Sequence, residues 1–381
     1  GTDSNSTANF FLVQWTSNDT LFIQSFVSSS ETIRLGTTRV FRDPSAWYHI
    51  VLAVNTGGSG TDKVKFYVNG TLETSFATDN RSSISGDLYI GDDILHYIGG
   101  QVTTGTTNAF WDGYIAEFNY IDGSQLAASS FGETNDNGIW IPKKYTGSYS
   151  GNSAFIDGRD SGDLGDDESG NGNDFSASGL ASHDQVSDSP TNNFAVLNPV
   201  DTHGKLAGEI RNGNLELKDN SASVYVHGRA TFGFDVTDSD GFYWESCDVV
   251  DGSGIGGICE DNAVIPSGSD VGFTGVRGYN SINTNNHYKL ENTTYYSVSL
   301  GVASNAGDIV QFCVKNGKLF IGVNGTYVLS GNPATEANPL FTGLTGIFMP
   351  FGGLYSGNSY NTVYNFGQDG TFAGNKTAQG N

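Results

Sequence analysis

Twice in this chain a period-two strand runs into the same turn: Lys63-Val64-Lys65-Phe66-Tyr67-Val68-Asn69-Gly70-Thr71, and Lys318-Leu319-Phe320-Ile321-Gly322-Val323-Asn324-Gly325-Thr326. Val64, Phe66 and Val68 share one face, as do Leu319, Ile321 and Val323, and Asn-Gly supplies the two positive-φ residues that a tight hairpin needs. One such hairpin lies in each half, so the chain is read as all-β: two antiparallel β-sandwiches in tandem.

With 381 residues the chain is long enough for two separate cores. Its 52 Gly, with abundant Ser, Thr, Asn and Asp, are the residues of turns and solvated strand faces, not of helices. A formal net charge of −23 makes the nucleic-acid backbone an unfavourable partner. Cys247, Cys259 and Cys313 form no C-x-x-C pair and are read as small buried thiols, not a disulfide framework. No apolar run reaches membrane-span length. The chain lacks an initiator Met and enters an apolar strand at Phe10-Phe11-Leu12-Val13, which reads as part of a longer polypeptide.

Strand-like runs recur about every ten residues, from Phe10–Gln14 through Leu21–Ser25, Tyr48–Asn55 and Val64–Asn69 to Tyr114–Ile121, with turn clusters between them. A short helix is expected only at Gln125–Ser130. From Thr146 to about Asp201 the pattern gives way to Gly, Ser, Asn and Asp, too poor in apolar residues for a core of its own. Strand signals then resume, including Phe242–Val250, Tyr295–Val302, Asp308–Val314 and Val363–Phe366. The expected division is a first sandwich over 1–145, a connection over 146–200 and a second sandwich over 201–381.

Trp47-Tyr48-His49-Ile50-Val51-Leu52-Ala53-Val54, then Tyr67-Val68-Asn69-Gly70, His96-Tyr97-Ile98-Gly99-Gly100 and Trp111-Asp112-Gly113-Tyr114-Ile115-Ala116-Glu117-Phe118 resemble the laminin-G-like, concanavalin A-like jelly roll over residues 1 to 140. The resemblance implies that the strand beginning at Asp112 builds the core, and that the family's opening strand is missing. Phe242-Tyr243-Trp244-Glu245, Gly307-Asp308-Ile309-Val310, Val323-Asn324-Gly325 and Asn365-Phe366-Gly367-Gln368 resemble a SPRY domain, with Ser246-Cys247-Asp248 departing from its pattern. Loop phrases such as Val40-Phe41-Arg42-Asp43-Pro44-Ser45-Ala46-Trp47, Glu168-Ser169-Gly170-Asn171-Gly172-Asn173-Asp174-Phe175 and Ser189-Pro190-Thr191-Asn192-Asn193-Phe194 resemble those of fibre and other virion surface proteins of marine bacteriophages.

Enzyme chemistry finds little purchase. Glu245 with Asp248, and Asp112 with Glu117, lack the spacing that would aim two carboxylates into one cleft for glycoside hydrolysis. There is no G-x-S-x-G elbow or Walker loop, and the histidines lack zinc-ligand spacing. Gly252-Ser253-Gly254-Ile255-Gly256-Gly257 matches G-x-G-x-x-G but is followed by Pro266 and no helix, so it reads as a glycine-rich turn into a strand.

Asp157, Asp160, Asp163 and Asp166 recur every third residue among glycines, a pattern open to calcium ligation or to a plain solvated linker. Aromatic groups in loops at the sheet ends are the binding candidates: Trp111 in 101–111, and Tyr279, His287 and Tyr288 in 278–290, with at least one of these loops expected to face outward. The resemblance implies a non-enzymatic virion surface or tail-fibre component, located on the extracellular particle and binding a host-surface glycan or protein. Its expected partners are other virion proteins and further copies of itself, with neither nucleic acid nor membrane insertion. A purely structural capsid-decorating or fibre-forming role, and more remotely a polysaccharide-degrading enzyme, remain alternatives.

Overall fold

The computed structural model describes residues 9–86, 88–92, 94–103, 106–202, 210–218, 225–250, 254–265, 272–281, 286–355 and 360–377. They form an all-β protein of several antiparallel sheets with two compact units. The first takes the described residues to Trp111 together with Ile115–Gln185 and Ser189–Asn192; the second takes Asp112–Tyr114, Val186–Asp188 and the described residues from Asn193 onward.

In the first unit a four-stranded sheet runs in the order Phe10–Trp15, Thr20–Val27, Ser30–Val40, Phe76–Asp79, beside a three-stranded sheet of Ile50–Val54, Val64–Val68 and Thr71–Leu72. Alternate residues of both sheets meet in one core, Leu21, Ile23, Ile33 and Leu35 from one and Val64, Phe66 and Val68 from the other. The hairpin has the expected backbone, with Asn69 at φ 47° and Gly70 at φ 77°. Trp140 lies over it, so closely that a Cβ on Gly70 would stand 2.4 Å from the indole.

The second unit stacks a sheet ordered Leu197–Thr202, Tyr225–Ala230, Ile347–Tyr355, Gly254–Glu260, Val276–Asn280, Asn286–Glu291, Thr294–Ala303 on a seven-stranded one. The latter is ordered Ile210–Arg211, Glu216–Lys218, Asn361–Asn365, Phe242–Asp248, Ile309–Lys315, Lys318–Val323, Thr326–Tyr327. Trp244 and Phe312 stack between the sheets, 5.1 Å apart and within 5° of parallel, in a core that also holds Ile258, Tyr279, Val310, Leu319 and Ile321. The glycine-rich run enters a buried strand at Gly254, and its glycines make room for rings: a Cβ on Gly256 would lie 2.7 Å from Phe312 and 2.9 Å from Tyr279. Gly252 and Ser253 lie outside the described residues.

Four expectations change. Gln125–Ser130 holds only a 3₁₀ turn at Ala128–Ser130. The run Tyr114–Ile121 is a strand only at Phe118–Tyr120, because Glu117 at φ 53° breaks the extended backbone before it. Asp112–Tyr114 packs in the second unit, where the Asp112 carboxylate accepts the Gly213 N–H (3.2 Å) and the Tyr114 ring occupies the space beside Gly213. The stretch read as a coreless connection is also divided. Its residues to Gln185 cluster with the first unit, where Ala154–Ile156 pairs with Phe118–Tyr120.

Candidate functional site

The hairpin offering Tyr279 and His287 as binding candidates instead buries both. Val276–Asn280 and Asn286–Glu291 pair across most of that stretch, and residues 282–285 lie outside the described residues. Tyr279 is 1% exposed and stacks on His287, 4.2 Å away and 12° from parallel, with Phe312 beyond at 6.0 Å. Strand alternation sends the neighbouring Tyr288 to the other face, half-buried opposite Asn280 and Ser299. Of these three, Tyr288 alone keeps an accessible ring.

Around His287 lies a buried polar clamp between the two sheets. Thr362 Oγ1 donates to Asp248 Oδ1 (3.0 Å), Ser304 Oγ donates to Asp248 Oδ2 (3.3 Å), and His287 Nε2 lies 2.8 Å from Ser304 Oγ. A serine hydroxyl has one proton, so with Ser304 donating to the carboxylate, His287 must be the donor from Nε2, leaving Nδ1 as a bare acceptor. No partner reaches Nδ1 among the described residues. Serine, not histidine, is the middle member, so the imidazole takes no proton from the hydroxyl and the constellation is not arranged to generate a nucleophile. It fastens the ends of strands from both sheets.

Burial depresses the His287 pKa to about 4, with a smaller opposing effect from the Asp308 charge. The unfolded chain takes up this proton below about pH 6.5, while the folded chain resists until near pH 4. The second unit is therefore expected to lose stability progressively as pH falls from 6.5 to 4, and to lose less in a His287→Gln chain. Urea midpoints at pH 7 and pH 4.5 measure this; parallel pH slopes for the two chains would refute it.

Trp111 is exposed. Its N–H donates to Gly99 O (2.8 Å), and its ring, 41% exposed, is the outer end of an aromatic row. Trp15 stands 5.0 Å away, Phe41 lies 5.7 Å from Trp15, and Tyr48 lies 5.1 Å from Phe41. The neighbouring Phe110 is 72% exposed. A tryptophan propped from beneath in this way can offer a fixed apolar surface to the face of a ligand at little entropic cost.

The aspartate series does not converge. Asp157 accepts the Arg159 N–H (3.0 Å) and pairs with its guanidinium (3.2 Å), Asp160 accepts the Gly162 N–H (2.8 Å), and Asp163 accepts the Gly165 N–H (3.2 Å). Three of the repeat's carboxylates, those of Asp157, Asp160 and Asp163, each serve their own Asx-turn. Asp166 is half-buried, and the described residues hold no group of three or more His, Cys, Asp or Glu that could hold a metal ion. The carboxylate that organises this region is the next one, Asp167, which is buried. Its Oδ1 accepts from Phe155 N (2.8 Å) and Ser169 N (3.0 Å), and its Oδ2 from Ser169 Oγ (2.7 Å) and Asn173 N (2.9 Å). Sequence reading passed over it because nothing in an Asp-Asp pair says which carboxylate turns inward; the nearby Ser169 and Asn173 were the available signal.

Neither carboxylate pair is brought together within a unit. Glu245 lies on the outer face of its strand while Asp248 is buried in the clamp, and Asp112 packs in the second unit while Glu117 belongs to the first.

Residues 2–129 match the family described as the concanavalin A-like lectin/glucanases superfamily, of the laminin G type. No curated protein matches the chain. Similar solved structures include the SPRY domain of human HERC1, at 14% identity and a TM-score of 0.33, covering 45% of this chain and 98% of that one. They also include the alginate lyase AlgAT5 of polysaccharide lyase family 7, at 11% identity and a TM-score of 0.24, covering 40% of this chain and 74% of that one. The match makes residues 2–129 of this all-β chain similar to the concanavalin A-like superfamily, which is compatible with a binding role.

Proposed function

We propose that this chain is a non-enzymatic surface component of a bacteriophage particle, a tail fibre or a capsid decoration, that binds a glycan or protein on the host cell. The observation that carries the binding part is the propped, half-exposed Trp111 beside Phe110 within the segment that matches the concanavalin A-like superfamily. The virion part is supported by the phrases quoted above, which take in loop residues that a sandwich core does not demand as well as core ones. On this reading its partners are other virion proteins, copies of itself and the host surface, and it works outside the cell.

Labelled chain is expected to bind host cells and to compete with adsorption of the particle. Trp111→Ala is expected to cut that binding about fivefold or more while leaving the melting temperature unchanged, the size of a modest aromatic hot spot. Full binding by the variant would remove Trp111 from the site. An assembly defect with normal adsorption would favour a purely structural role. Release of reducing ends from a polysaccharide, abolished by Glu245→Gln or Glu117→Gln, would overturn the non-enzymatic reading.

A further inference from the structure

Phe242–Asp248 alternates: Trp244 and Ser246 are buried, whereas Tyr243 and Glu245 are on the outer face of the seven-stranded sheet. Pairing sets Gln311 directly beside Glu245, and Tyr327 two strands further on opposite Gly322. Two hydrogen bonds order these side chains. The Gly325 N–H donates to Gln311 Oε1 (2.7 Å), and the Tyr243 hydroxyl, on the same face as Gln311, donates to Glu245 Oε1. Burial and the adjacent carboxylate push the Tyr243 phenol well above its ordinary value, so the hydroxyl keeps its proton and donates it.

The face thus holds a carboxylate whose second oxygen accepts no hydrogen bond among the described residues. Tyr243 provides a ring that is 50% exposed, and Tyr327 a half-buried one. Among the described residues no cation pairs with Glu245. Fixed acceptor oxygens beside exposed aromatic rings suit a ligand that presents hydroxyl donors on one edge and C–H groups on a face, as a pyranose does. The unpaired carboxylate, on a chain of net charge −23, opposes an acidic ligand.

We propose that this outer face, built on Tyr243, Glu245, Gln311 and Tyr327, is a second ligand site, specific for a neutral saccharide. Glu245 Oε2 accepts from ring hydroxyls, and the tyrosine rings lie against the sugar's C–H face. The inference deepens the host-binding reading and rests on it only for the biological source of the sugar.

The test is calorimetric titration of the full chain with neutral hexaoses of glucose, galactose and mannose, beside a hexa-uronate. At least one neutral hexaose is expected to bind and the uronate to bind none. Glu245→Gln and Tyr327→Ala are each expected to weaken binding about tenfold or more, from loss of a charged acceptor or of ring contact. Tyr243→Phe, which keeps the ring and removes the link to Glu245, is expected to weaken it less, and melting temperatures show that each variant is folded. No binding of any neutral hexaose, or an affinity indifferent to all three substitutions, overturns the site. Binding indifferent to them but lost in Trp111→Ala would leave host recognition standing without this face. Adhesion to host cells with no hexaose binding would do the same.

Discussion

Gly256→Val is expected to cost the second unit about 3 kcal/mol or more, the upper range for overpacking a core. The added Cβ would stand 2.7 Å from Phe312 and 2.9 Å from Tyr279 before the methyl groups are counted. Neither ring can withdraw cheaply, since Phe312 is stacked on Trp244 and Tyr279 on His287. Because single domains are stable by only about 5–15 kcal/mol, the loss is a large share of the total. Hydrogen exchange read by mass spectrometry should show protection falling over 242–260 and 309–323 while 20–40 is unaffected. Unchanged exchange in the first two would mean that the rings have room which the packing denies them.

Asp167→Ala is expected to be comparably damaging to the first unit. It strands the N–H groups of Phe155, Ser169 and Asn173 and the Ser169 hydroxyl, and a buried donor left unsatisfied costs about 1–3 kcal/mol. A loss of about 3 kcal/mol allows for water replacing some of these bonds. The desolvation that would raise the Asp167 pKa is outweighed by these hydrogen bonds, and the group lies below its ordinary value. Its ionised form therefore contributes stability above about pH 4, and that contribution is lost as pH falls through the folded-state value. Urea unfolding should show a wide gap between parent and variant at pH 7 that narrows toward pH 3. A constant gap would mean that the carboxylate's charge is irrelevant to its role.

Much of the fold was legible in the alternation of apolar residues. The strands at Val64–Val68, Lys318–Val323, Phe242–Asp248 and Ile309–Lys315 lie where period two and the Asn-Gly turns put them. The site was less legible. Trp111 is exposed, but Tyr279 and His287 are interior, and Gly256 on the neighbouring strand leaves room for the Tyr279 ring. A polar stretch rich in Asn, His and Tyr looks like an exposed loop until one nitrogen of its His287 is seen to join Ser304, Asp248 and Thr362 in a buried network.

The aspartate repeat makes the same point from the other side. Spacing by three placed acidic groups close along the chain, yet each Asx-turn rotates its carboxylate back to its own backbone, so nearness in sequence did not become convergence in space. The sequence by itself determined the all-β class, the two hairpins and which residues share a strand face, since these follow from backbone geometry acting over a few residues. Only the tertiary structure decided which face is covered by the opposing sheet, that Asp112–Tyr114 packs in the second unit, and that Asp167 is the buried carboxylate. Those outcomes depend on packing and desolvation between segments far apart in the chain, which no local pattern encodes.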